Sequence, residues 1–114
     1  MTAHFDFQPD RIAVAGDWHG NLWWAQQAID RAAAAQAQVI VQLGDFGFWT
    51  MTPATRKFLQ RLEARLDEHN IRLLFVDGNH EDHDRLNARP INPDTGLRLI
   101  TDHIHHLPRG VRWT

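Results

Sequence analysis

The 114-residue chain contains no cysteine, which excludes disulfides and thiolate metal sites. It has no run near the roughly 18 apolar residues that span a bilayer. Its opening, MTAHFDFQPDRIAV, lacks the basic stretch and apolar core of a secretory signal. These absences predict a soluble chain that meets no membrane, with the cytoplasm as the expected location. Excess charge of one sign is missing too: 12 Lys and Arg against 14 Asp and Glu give −2, unlike the basic domains that coat nucleic acid. No internal repeat, low-complexity tract or linker divides residues 1–114, a length that suits a single domain or part of one. With 43% hydrophobic and 23% charged residues, the composition is that of a globular chain rather than a disordered one.

Histidine stands out against these absences. Eight occur, at positions 4, 19, 69, 80, 83, 103, 105 and 106, several beside aspartate. Imidazole and carboxylate together are a ligand set for divalent transition metals. Spacing alone leaves His4, His69 and His83 as solvated surface residues.

Hydrophobic patterning gives a regular order of elements. Arg11 to Ala15 reads as a buried strand, and Asn21 to Ala37, without interior Gly or Pro, as a helix with Leu22, Ala25 and Ile29 on one face. Val39 to Leu43 is a second strand. Thr52 followed by Pro53 is a helix start, and Phe58, Leu59, Leu62 and Leu66 form the apolar face of the helix that Asn70 ends. Ile71 to Val76 is a third strand. Strand, helix, strand, helix, strand in this order predicts parallel βαβ crossovers. Beyond residue 80 the spacing predicts a short helix over Asp82 to Ala88 and one or two short strands between Gly96 and Leu107.

A glycine-flanked loop follows each of the three strands: Gly16-Asp17-Trp18-His19-Gly20, Gly44-Asp45-Phe46-Gly47 and Gly78-Asn79-His80-Glu81. Ligands of open parallel sheets bind at the carboxyl ends of the strands, so the loops are expected to converge on one edge. Carboxylates that converge there without a counter-charge raise each other's pKa, and a pair of divalent cations removes that cost. Asp17 and His19, two apart, can reach one ion. Asp45 can bridge two, the Asn79 carbonyl oxygen can serve the second, and His80 sits beside them. Glu81 is expected to make supporting or capping hydrogen bonds, and Trp18 to pack. Phe46, Phe48 and Trp49 read either as a platform for a base or as cover for the helix ends, with cover favoured. Trp23 and Trp24 carry the same two readings. The arginine-rich tail (Arg85, Arg89, Arg98, Arg109, Arg112) is as well read as a solvated surface as a lure for phosphate esters.

G-D-x-H-G, then G-D-x-x-G, then G-N-H-E, each behind a hydrophobic strand, resembles the calcineurin-like metallophosphoesterase superfamily over residues 11 to about 81. The resemblance implies Asp17 and His19 on the first metal, Asp45 bridging, Asn79 on the second, and His80 steadying the transition state or protonating the leaving oxygen. It implies hydrolysis of a phosphomonoester or phosphodiester substrate, nucleotides and nucleic acids among the candidates. It also implies two divalent metal ions, Mn²⁺ first, with Fe, Zn²⁺ or Ni²⁺ as alternatives. The family's site also draws a lone His and a later Gly-His-x-His from the second half of the domain, and the chain has no Gly-His-x-His. His103-Ile104-His105 has the x-separated spacing without the preceding Gly.

The expected fold is therefore the parallel βαβαβ core of a metallophosphoesterase-type α/β sandwich, its second half missing or shortened and its second metal short of ligands. The uncovered apolar surface is expected to be hidden in a homo-oligomer or against an absent C-terminal half. Two other readings stay open: a catalytically incomplete binding module, and an unrelated parallel α/β domain such as a phosphoacceptor receiver, in which Lys57, the one lysine, is hard to place.

Overall fold

Capping chemistry sets the two long helices. In the computed structural model, which describes residues 4–5, 9–48, 52–78, 81–108 and 112–113, helix α1 runs Leu22–Ala34. The Asn21 side chain accepts the Trp24 N–H at its start. It ends as Gln36 turns left-handed (φ 61°), with the Ala37 N–H reaching the Ala32 carbonyl. The helix is thus shorter than the predicted Asn21–Ala37, because Asn21 is its N-cap and its C-cap falls at Ala35, before the left-handed turn at Gln36. Helix α2, Pro53–His69, starts where the Thr52 hydroxyl accepts the Thr55 N–H and stops at left-handed Asn70 (φ 53°), as the sequence predicts.

The strands between these helices are β2 (Ile12–Ala15), β3 (Val39–Gln42) and β4 (Arg72–Phe75); β1 is His4–Phe5. After them come α3 (His83–Asn87), capped by the Asp82 side chain on the Arg85 N–H, then β5 (Arg98–Leu99), β6 (Ile104–His106) and β7 (Arg112–Trp113). One sheet has the order β2-β3-β4-β6-β5, parallel except for β5, which runs antiparallel to β6. β1 and β7 pair with each other in parallel.

Both long helices lie on one face of the larger sheet. Ala25 and Ile29 of α1 and Phe58, Leu62 and Leu66 of α2 close a core over Ile40, Leu73, Phe75 and Ile104. On the other face Val39 and Leu74 are covered by Leu97, with Leu107 beside them. This arrangement corrects one expectation: β2 is an edge strand, not a buried one. Ala13 and Ala15 face the helices, whereas Ile12 and Val14 are 47% and 67% exposed on the opposite side. A short apolar run reports that a strand exists, not what covers its second face. Among the described residues, no helix is long and apolar enough to cross a membrane.

A carboxylate clamps α2 to the start of β6. Glu63 accepts the Thr101 hydroxyl and the His103 backbone N–H on one oxygen and faces His103 Nδ1 with the other, all at 2.6 Å. Burial by itself would raise the Glu63 pKa, but these hydrogen bonds outweigh it and hold the pKa below the ordinary value. A carboxyl with a depressed folded-state pKa stabilises the fold above its unfolded value of about 4.3, and that contribution disappears as pH falls through the folded value. The melting temperature should therefore fall more steeply below about pH 4.3 in the wild type than in Glu63→Gln, which has no proton to gain. Equal slopes in a pH series of thermal melts would remove this assignment.

Candidate metal centre

The three glycine-flanked loops leave the sheet side by side. Ala15 pairs with Gln42 and Gln42 with Phe75, so β2, β3 and β4 end level with one another. The first two loops then join directly: the His19 N–H donates to the Asp45 carbonyl (2.7 Å) and the Gly20 N–H to the Phe46 carbonyl (3.2 Å). Beneath the second loop, buried Gln42 bonds the Gly44 carbonyl with its amide N–H (2.7 Å) and accepts the Gly44 N–H (2.9 Å).

Asp17, His19 and Asp45 meet at this junction, each offering one ligand atom within 4.8 Å of the other two. His19 Nε2 lies 4.0 Å from Asp45 Oδ2. All three residues have left-handed backbones, with φ of 56°, 48° and 48°. That region costs L-residues of order 1–3 kcal/mol and persists only where the surroundings enforce it. The other described non-glycine residues with positive φ, Gln36 and Asn70, end helices. The strain outside the helix ends is thus concentrated on the three residues that converge. One imidazole nitrogen and two carboxylates fit a divalent transition metal.

The enforcing contacts come from the core side. Trp18, 4% exposed, turns inward between Asp17 and His19 and meets the Phe46 ring at 5.9 Å. Phe46 stacks on Phe75 with ring centres 4.5 Å apart. Phe46 and Phe48 are both fully buried, so they are packing residues and not a base platform; Trp49 lies outside the described residues. The third loop is tied in by Glu81, 5% exposed. Its carboxylate accepts the N–H groups of Phe46 (2.6 Å), Gly47 (3.1 Å) and Phe48 (3.2 Å), and the Asp82 N–H donates to the Phe48 carbonyl. Gly78 must be glycine: a Cβ there would sit 2.6 Å from Asp45 Oδ1.

A sequence model of the calcineurin-like phosphoesterase family matches residues 10–111. The chain belongs to that family. No curated protein matches it closely. The family match runs past residue 81, where the three motifs end, to the last strand of the fold. Calcineurin-like phosphoesterases generally bind divalent metals, and in this member Asp17, His19 and Asp45 form a possible site for one.

Of the five residues that the sequence nominates, the structure brings together these three, while Asn79 and His80 lie outside the described residues. His103 does not join them. It precedes β6, at the opposite end of the sheet, on Glu63. The strand starts at Ile104, so His103 and His105 do not share a strand face despite their x-separated spacing.

A group that the sequence reading passed over lies beside the third loop. Asp77 Oδ1 is 2.9 Å from His106 Nε2, and its Oδ2 is 3.2 Å from His83 Nδ1. His83 is therefore half-exposed but partnered, not a simply solvated residue. Burial pushes the His106 pKa down against the pull of Asp77. Burial alone would raise Asp77, but the His106 hydrogen bond and its charge hold that carboxyl below its ordinary value. The available signal was an aspartate immediately before Gly-Asn-His; its partner, 29 residues on, has no local pattern. Arg98 is also bound inward, to the Arg89 carbonyl (3.0 Å), rather than solvated.

Glu81→Ala would leave three buried N–H groups without an acceptor, each costing about 1–3 kcal/mol. Denaturant unfolding should show a loss of about 3 kcal/mol or more, with Glu81→Gln less affected because it keeps one acceptor oxygen. A loss under about 1 kcal/mol in Glu81→Ala would show that the loops do not depend on this carboxylate.

Proposed function

We propose that the protein is a metal-dependent phosphoesterase that hydrolyses phosphomonoester or phosphodiester bonds at the edge where Asp17, His19 and Asp45 meet. The convergence of these three residues in strained backbone, in a calcineurin-like phosphoesterase fold, is the observation that supports the reading. Asp17 and His19 would hold the first ion, Asp45 would serve both, and Asn79 would supply the second. When bound, divalent cations neutralise phosphoryl oxygens and acidify water. Mn²⁺ is the leading candidate, ahead of Fe, Zn²⁺ and Ni²⁺. In the reaction a water oxygen bonds to phosphorus as the bond to the leaving oxygen breaks. His80 gives its proton to that oxygen while the attacking water releases one proton to solvent, leaving an alcohol and a phosphate or phosphomonoester.

A nucleotide ester suits the surface beside Asp17. A groove of about 580 Å³ there is lined by Trp23, Trp24, Gln27 and Arg31 as well as Asp17. The two indoles, 62% and 60% exposed, offer aromatic faces for stacking. A second reading, a module that works through a partner or a second copy, draws support from the exposed Ile12, Val14 and Leu99. It expects a concentration-dependent mass in sedimentation equilibrium and no turnover.

Mn²⁺ should raise the melting temperature through linkage. Asp45→Asn should weaken binding more than Asp17→Asn, because it removes a shared carboxylate. With a chromogenic phosphodiester, His80→Ala should lower kcat while the metal content stays that of the wild type. Calorimetry with no heat and no stabilisation from any of the four metals would end the phosphoesterase reading.

A further inference from the structure

His106 is 2% exposed, its ring 5.3 Å from that of Phe75, in a position that a leucine would fill without desolvating an imidazole. Both of its nitrogens are engaged. Arg98 Nη1 lies 3.5 Å from Nδ1, and a guanidinium can only donate. Nδ1 is therefore the acceptor, Nε2 carries the hydrogen, and the imidazole donates to Asp77 Oδ1. With its other oxygen on His83, the first residue of α3, Asp77 braces β6 and α3 across the mouth of the third loop.

The loop is fixed at its far end as well. Glu81 is anchored on residues 46–48, its N–H donates to the Gly78 carbonyl (3.4 Å), and its carboxylate accepts the Gly78 N–H (3.4 Å). Between these two carboxylate anchors the chain has room for Gly78, Asn79 and His80 alone. Gly78 lies so close to Asp45 that movement of the β4 end carries directly into the second loop.

We propose that His106 is a positioning residue: through Asp77 it sets the end of β4 from which Gly78, Asn79 and His80 depart, and so acts on the second cation's ligand through the backbone. The role rests on the reading of Asn79 as that ligand. A purely structural role would be served as well by an apolar pair, since replacing both partners of a buried hydrogen bond with apolar groups of the same shape can be nearly neutral or stabilising. What the imidazole and carboxylate add is direction, the property that partners of metal-binding groups supply.

The test compares His106→Leu, which keeps the volume and removes the N–H, with His106→Gln, whose amide restores a donor near the Nε2 position. In metal-free protein, amide exchange across residues 78–82 should speed up several-fold in His106→Leu, with β3 and α2 unchanged, and His106→Gln should return it toward wild type. In a Mn²⁺ titration the second equivalent should weaken about 10–100-fold in His106→Leu and recover in His106→Gln, the first equivalent holding. Unchanged exchange at 78–82, or a glutamine variant no better than the leucine one, would overturn the proposal. A wild type that binds fewer than two equivalents would instead defeat the assignment of Asn79, and the exchange comparison would still decide the role of His106. If His106→Leu does not fold, Asp77→Ala takes its place in the exchange measurement, with the same expected and overturning results.

Discussion

One buried carboxylate joins the loops of this fold. Removing Glu81 from water carries a desolvation cost that no single neutral contact offsets, and the structure meets it with consecutive backbone donors from residues 46–48. Those donors have no strand partner, because the chain has left β3 and not yet reached α2. The carboxylate and the loop therefore satisfy each other. Asp45 precedes the first of these donors by one residue, so the same bonds that settle the loop also fix the backbone from which Asp45 projects. The first loop depends on that backbone in turn, through the Asp45 and Phe46 carbonyls that accept the His19 and Gly20 N–H groups.

This chain of dependence explains how three residues can hold left-handed backbone together. A strained φ relaxes unless neighbouring contacts leave it no alternative. Here the constraint comes from below. Trp18 and Phe46 are anchored in the aromatic cluster with Phe58 and Phe75, and each sits beside a strained residue. An inward-pointing aromatic next to an outward-pointing carboxylate or imidazole is a simple lever: fixing the ring fixes the orientation of the adjacent Cα–Cβ bond.

How much of this was legible in the sequence follows from the range of each interaction. The boundaries of α2 are written locally, in Thr52, Pro53 and Asn70, and the structure places them there. The inward turn of Trp18 and the supporting role of Glu81 were also readable, because the loop motif sets their alternation. The exposure of Ile12 and Val14 was not, since an edge strand and a central one share the same composition and differ only in their neighbours. The pairing of Asp77 with His106 was equally hidden: it joins adjacent strands across an intervening helix and hairpin, and no spacing in the sequence encodes that adjacency.

The distribution of buried polar groups separates the loop end of the sheet from its middle. Among the described residues, Gln42, Thr55, Glu81 and His106 are the buried polar ones, and all but Thr55 serve the loop end of the strands. Toward the middle of the sheet, Ile40, Leu73 and Ile104 present only apolar packing to the helices. An all-apolar loop end would desolvate nothing, but apolar contacts are not directional and could not hold Gly44, Phe46 and Gly78 at set positions. The loop end accepts desolvation costs in return for directional bonds, and natural sequences depart from local rules in this way at functional sites. The position of these buried polar groups thus sets the loop end of the sheet apart from the rest independently of the residues that line it.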